Sequence, residues 1–116
     1  MKIKTSELTG AALDWAIAKC DEVNAKYLQP DDFRACQRIG NFRYSTNWAQ
    51  GGPIIEREFI NTTNRYIPHA WVWEAALVDN DSKLHRGDGP TPLIAAMRCC
   101  VASKLGYEVE VPDEFF

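Results

Sequence analysis

Apolar residues recur at helical spacing near both ends of the chain and alternate in a stretch between them. Near the start, Leu13, Ala16, Ile17 and Cys20 fall on one helical face, which predicts a helix from about Gly10 to Asn24. Thr9 stands at its N-cap position, where a hydroxyl can accept a free N–H of the first turn. Leu8 and Leu13 occupy the two positions of a hydrophobic staple. Trp15 lies off the centre of the stripe, flanking the core or facing a partner. Lys2 to Leu8 reads as a short extended segment before it.

The best-specified element is a helix from Pro92 to about Leu105. Ile94, Met97, Val101 and Leu105 define one face, and Leu93, Ala96 and Cys100 broaden it, while Arg98 and Lys104 point elsewhere. Thr91 is its cap, Pro92 takes the first position where a missing N–H costs nothing, and Gly106 can adopt the left-handed conformation that ends a helix. Tyr107 to Val111 then alternates as a terminal strand, stopped by Pro112.

Between these helices the pattern changes. Residues 25–43 read as irregular and surface-lying, with turns at Gln29-Pro30-Asp31-Asp32, where Pro30 can start a short helix, and at Gly40-Asn41. Ser45-Thr46-Asn47 offers caps for a helix holding Trp48 and Ala49. Gly51-Gly52-Pro53 predicts its kink or break, with a new segment from Pro53 to about Phe59. Ile60 to Asp79 reads as β structure: Trp71, Trp73 and Ala75 share one strand face and Val72, Glu74 and Ala76 the other, with a partner strand near 59–63 or 65–67. Asp79 to Ser82 is a turn, Lys83 to His85 a short returning strand, and Gly87-Asp88-Gly89 a turn into the last helix. Strands with helices before and after them predict a single α+β domain over 1–116, a small, mostly antiparallel sheet covered by helices on one face or both.

Composition narrows the classes of function. The 116 residues are enough for one ordinary core, and 46% hydrophobic with 25% charged residues argues against disorder. A net charge of −3, with thirteen Lys and Arg spread along the chain, disfavours duplex DNA or RNA, leaving room only for a local anion patch. Cys20, Cys36, Cys99 and Cys100 include no C-x-x-C pair, and adjacent Cys99 and Cys100 point to different helix faces. Free thiols, no metal site and no cofactor are expected. His69 and His85 are isolated. The first residues lack the apolar core of a secretory signal, and no apolar run is long enough to span a membrane, so no membrane association is expected.

Three segments, KTSELTGAALDWAIAKC at 4–20, YSTNWAQGGPIIERE at 44–58 and GPTPLIAAMRCCVASKLGYEVEVP at 89–112, together resemble the NinX-like proteins of lambdoid phages and their prophages. The resemblance covers close to half of the chain and leaves 21–43 and 59–88 as variable surface segments. It implies a phage accessory protein acting in the cytoplasm of an enterobacterial host. It also implies an α-β-α sandwich in which the YST-type helix and the C-terminal helix flank a sheet. It carries no catalytic residue.

Two constellations have chemistry. Tyr44, Ser45, Thr46 and Trp48, followed by Gly51 and Gly52, combine hydroxyls, a stacking surface and accessible backbone, a mixture suited to an uncharged or nucleotide-like ligand. The structural alternative is a helix cap, a core tryptophan and a break. Gly89 and Thr91 lie where a helix N-terminus can hold a phosphate or carboxylate, but the P-loop pattern is absent and Asp88 repels anions, which favours a capped turn. Arg57 is a further candidate grip for phosphate, or else part of a solvated face; Trp71 and Trp73 are core or an aromatic shelf.

The expected function is that of a non-enzymatic binder that sequesters a nucleotide-derived host immune signal. The alternatives are an interaction module that inhibits a host protein and a nucleotide-processing enzyme. The enzyme has the least support, because no paired carboxylates or metal ligands stand at telling positions. A homo-oligomer is expected on general grounds.

Overall fold

The computed structural model describes all of residues 1–116. Lys2–Lys4 forms β1, followed by a 3-10 turn at Thr5–Glu7 and by α1, Gly10–Cys20. A second 3-10 turn at Ala25–Leu28 leads into α2, Pro30–Arg38, and then α3, Trp48–Arg57. Strands β2 (Asn61–Ile67), β3 (Ala70–Val78) and β4 (Leu84–Gly89) form an antiparallel sheet in the order β2-β3-β4. α4 (Pro92–Leu105) follows, and β5 (Glu108–Glu110) returns to pair antiparallel with β1. The class is α+β, and the short strands form two small sheets.

α4 is the axis of the fold. It lies along the three-stranded sheet, chiefly on β4 and β3, while α1 and α3 pack against it. Buried positions therefore surround it: Leu93, Ala95, Ala96, Met97, Cys99, Cys100, Val101 and Ala102. A helix buried over most of its circumference belongs in an interior. Its buried surface is wider than the single stripe the spacing predicts; Pro92, Ile94, Arg98, Ser103 and Leu105 are half-buried and Lys104 is exposed. Its ends follow the sequence. The Thr91 side chain accepts from the Ile94 N–H at 3.1 Å, Pro92 is at the first turn, and Gly106 at φ +93 closes the last turn through its N–H to the Ala102 carbonyl. The two helices expected to flank a sheet are thus layered, with α4 on the sheet and α3 on α4.

Gly87-Asp88-Gly89 is not a turn but the end of β4, in register with Ala75, Glu74 and Trp73 of β3. Its glycines answer to packing. A β-carbon on Gly87 would stand 2.5 Å from the Cys99 nitrogen and 2.7 Å from the Ala95 oxygen, and one on Gly89 2.9 Å from Ile94 Cγ2. The missing side chains let α4 settle directly on the strand.

The break expected at Gly51-Gly52-Pro53 is also absent, and α3 runs through it. Pro53 only forgoes the bond its N–H would make to Ala49. Gly51 lies where a β-carbon would meet the Tyr44 carbonyl at 2.2 Å and Leu93 Cδ1 at 2.6 Å. Close packing against α4, with Ile54 buried, holds the helix against its poor local propensity. α1 is shorter than expected. It ends at Cys20, and Glu22 at φ +56 turns the chain. Leu8 and Leu13 are fully buried as a staple requires, but the Thr9 side chain makes no capping bond.

The segment read as irregular surface supplies part of the core. Phe33 of α2 is fully buried, stacks on Phe42 at 5.2 Å and meets Phe115 edge-on at 5.7 Å. Trp15 is also buried, and its indole N–H donates to the Leu28 carbonyl at 2.8 Å. Trp71, Trp73 and Ala75 do share one strand face, but that face runs out of the core: Ala75 is buried, Trp73 half-buried and Trp71 exposed.

Candidate functional site

The edge strand β4 contributes to a pocket of about 390 Å³, within the range of small-molecule sites. Arg86, Gly87 and Asp88 line it from β4, Glu74 from β3, Asn61 and Thr63 from β2, Thr5 and Ser6 from the turn after β1, Arg98 from α4, and Tyr107 from the approach to β5. Paired positions of an antiparallel sheet point to one side. Asn61, Thr63, Glu74, Ala76, Arg86 and Asp88 therefore share the face turned away from α4.

Arg98 is the most constrained group of this site. Its Nε donates to the Leu8 carbonyl at 2.9 Å and its Nη1 to the Asp88 carbonyl at 2.8 Å. Both anchors are neutral, and Nη2 has no protein partner. Partial burial pulls the guanidinium below its usual range, against the attraction of the Asp88 charge. Glu74 is occupied by Arg65 at 2.8 Å, whereas neither Arg86 nor Arg98 forms an ion pair. The Tyr107 ring is exposed and lies over His85, with centroids 6.4 Å apart. His85 is held in turn by Asp79 at 2.7 Å, which also accepts from the Asp81 and Lys83 N–H groups and fixes the turn before β4. These bonds hold the Asp79 carboxyl below the ordinary aspartate range, His85 contributing most.

A second, more open cleft of about 440 Å³ lies between α1, α2 and the segment leading to α3. Gly10, Ala11 and Asp14 line it with Arg34, Gln37, Arg38, Arg43 and Thr46. Asp14 is buried and accepts from the Ser45 N–H at 2.8 Å and the Gln37 amide at 2.9 Å. Burial holds its carboxyl above the ordinary range, with Ser45, Gln37 and Arg43 pulling the other way.

The candidates read from the sequence do not meet in one cavity. Ser45 is buried beside Asp14, and Thr46 reaches the open cleft. Tyr44 is half-buried, and burial pushes its hydroxyl up to about 12. Trp48 is exposed at the start of α3 and packs over Gly52. Gly51 meets Leu93, which joins the 44–58 segment to the first turn of α4 through the core and not through a ligand-sized space. Arg57 is engaged by Asp21 and Glu58, each at 2.8 Å. Gly89 packs under α4 and Thr91 caps it.

The groups that line the pocket at β4 were not singled out by sequence. Arg98 lies off the apolar face that the spacing predicts for its helix. Arg86, Asn61, Thr63 and Tyr107 carry no spacing signal, since they come from separate elements that only the sheet and α4 assemble.

Fold and site together define a small α+β domain built round one largely buried helix, with an arginine-bearing pocket at a sheet edge. The chain belongs to the family described as bacteriophage P22, NinX, whose model matches residues 4–104. No curated protein matches it. No helix is long and apolar enough to cross a membrane.

Proposed function

We propose that this phage-family protein is a non-enzymatic binder that sequesters a small, phosphate-bearing, nucleotide-derived molecule, a host immune signal, in the pocket at β4. The observation that supports this reading is Arg98. Its guanidinium is positioned by two backbone carbonyls, forms no ion pair although the Asp88 charge attracts it, and lines the same pocket as Arg86 and the exposed ring of Tyr107. A fixed guanidinium suits a phosphate, an aromatic ring suits a base, and the hydroxyls and amide of Thr63, Ser6 and Asn61 suit a sugar or base edge. Sequestration requires only tight stoichiometric binding.

The test is to titrate the purified protein with cyclic oligonucleotides and ADP-ribose derivatives, by calorimetry and thermal shift. One of them is expected to bind with defined stoichiometry, to raise the melting temperature, and to be recovered unchanged. The Arg86→Ala variant, altered only at an exposed side chain, is expected to bind it at least about tenfold more weakly. No stabilisation by any of them at excess ligand overturns the reading, because a ligand of the native state must raise its stability. Conversion of the nucleotide would favour an enzyme instead.

A second reading, an interaction module that inhibits a host protein, is supported by the end of the β2–β3 hairpin. Tyr66 and Trp71 are 59% and 65% exposed there, with ring centroids 5.0 Å apart. Exposed aromatics of this kind anchor protein interfaces. A Trp71→Ala variant that loses a host effect while keeping nucleotide binding would favour it.

A further inference from the structure

We propose that the open cleft between α1 and α2 is a second binding site, separate from the pocket at β4, for a phosphate-type oxyanion gripped by Arg34, Arg38 and Arg43. The chain is acidic overall, yet three guanidinium groups converge on this cleft, and its one carboxylate is Asp14. None of the three forms an ion pair.

Two of the arginines are held by neutral groups. Arg43 donates through Nε and Nη2 to the Gln37 carbonyl, at 2.8 and 2.5 Å. Arg34 donates to the Glu114 carbonyl and lies over the Phe115 ring at 5.3 Å. Carbonyls and a ring face orient a guanidinium without cancelling its charge, and each group keeps N–H donors to spare. The Arg38 side chain is exposed and pairs with no group of the protein. Asp14 offsets only part of this charge: it is one carboxylate against three guanidinium groups, its oxygens accept from the Ser45 N–H and the Gln37 amide, and it attracts Arg43.

The backbone adds to the same surface. Gly10 and Ala11, the first residues of α1, line the cleft, and the Thr9 side chain leaves their end of the helix without a capping bond. Uncapped N–H groups with the positive end of the helix dipole favour an anion. A tetrahedral oxyanion offers several acceptors, enough to bridge guanidinium groups and helix amides together.

The experiment uses the full chain, isotopically labelled, titrated with inorganic pyrophosphate and, in parallel, with chloride at matched ionic strength. Pyrophosphate is expected to give saturable amide shifts at Gly10 and Ala11 and at the Nε signals of Arg34 and Arg43, where chloride gives none. Arg38→Ala removes an exposed side chain without contacts and is expected to fold normally and to weaken binding about tenfold. Arg86→Ala is expected to leave this titration unchanged while affecting the pocket at β4. Shifts absent from Gly10 and Ala11, shifts confined to residues 86–88, or unchanged affinity in Arg38→Ala would each overturn the proposal. Nucleotide binding at β4 succeeds or fails separately, because its own signals and its own variant report it.

Discussion

A β-carbon placed on Gly87 of β4 would stand 2.5 Å from the backbone nitrogen of Cys99 in α4. The obstacle is main chain, so no rotamer change relieves it. Gly87→Ala is expected to destabilise the protein by about 1–3 kcal/mol or more, because strand and helix must separate. Gly52 is the contrast: its β-carbon would meet only Trp48 Cε3, at 3.9 Å. Gly52→Ala in the interior of α3 is expected to stabilise by about 0.5–1 kcal/mol through helix propensity. Urea unfolding of the two variants checks both signs.

Asp14 accepts from the buried Ser45 N–H, which has no other partner, and from the Gln37 amide, which also donates to the Phe42 carbonyl. Removing it in Asp14→Ala is expected to cost about 1–3 kcal/mol, chiefly for the Ser45 N–H left unpaired. The loss would appear in the denaturant midpoint. It would also appear as faster amide exchange at Ser45, since that bond ties the loop before α3 to α1.

Asp14 and Asp79 are expected to respond to acid in opposite directions. Asp79 has a folded value below its unfolded one, so its stabilisation is complete above the ordinary aspartate range and is lost as pH falls toward the folded value. Asp14 is raised, so ionising it opposes folding. That penalty is complete above its folded value and disappears as pH falls to the ordinary aspartate range. The gap in unfolding free energy between wild type and Asp79→Asn should therefore narrow on acidification. For Asp14→Asn, wild type should gain relative to the variant on the same descent.

Arg57 joins α3 to the end of α1 through Asp21, and Glu58 extends the group to Lys104 of α4 at 3.0 Å. The guanidinium is about half exposed, so solvent screens it. Arg57→Ala is expected to cost less than about 1 kcal/mol, and less again in high salt. Nucleotide and pyrophosphate titrations of this variant should match wild type, since its donors already serve carboxylates.

The thiols should separate by reactivity. Cys99 and Cys100 are fully buried, and burial pushes them up to about 11 and about 12, with Cys20 likewise at about 12. A thiol reagent at neutral pH is expected to modify Cys36 first and the other three only on unfolding, because the thiolate is the reactive species. Mass mapping after brief labelling reads the order.

Local chemistry was legible at several caps and turns, though not at Thr9, whose side chain makes no capping bond. Thr91, Pro92 and Gly106 bound α4, and Asp79 to Ser82 form a turn, because a cap or turn satisfies neighbouring backbone groups whatever lies around it. Strand alternation likewise placed Trp71, Trp73 and Ala75 on one face. Residues that answer to distant neighbours were not legible in this way. Gly51 and Gly87 look like breakers in the chain, yet both sit inside regular elements, because Leu93 and Cys99 leave no room for a side chain.

By itself the sequence determined the α+β class, the capped last helix, the family resemblance and the absence of any local catalytic signature. Only the tertiary structure decided that α4 is buried over most of its surface, that Phe33 turns an apparent surface insertion into core, and that Arg86 and Arg98 share a pocket with Tyr107. It also gathered Arg34, Arg38 and Arg43 at the start of α1. Helix ends and turns depend on bonds between residues a few positions apart. A pocket depends on which surfaces the packing of α4 brings together, and no spacing along the chain encodes that distance.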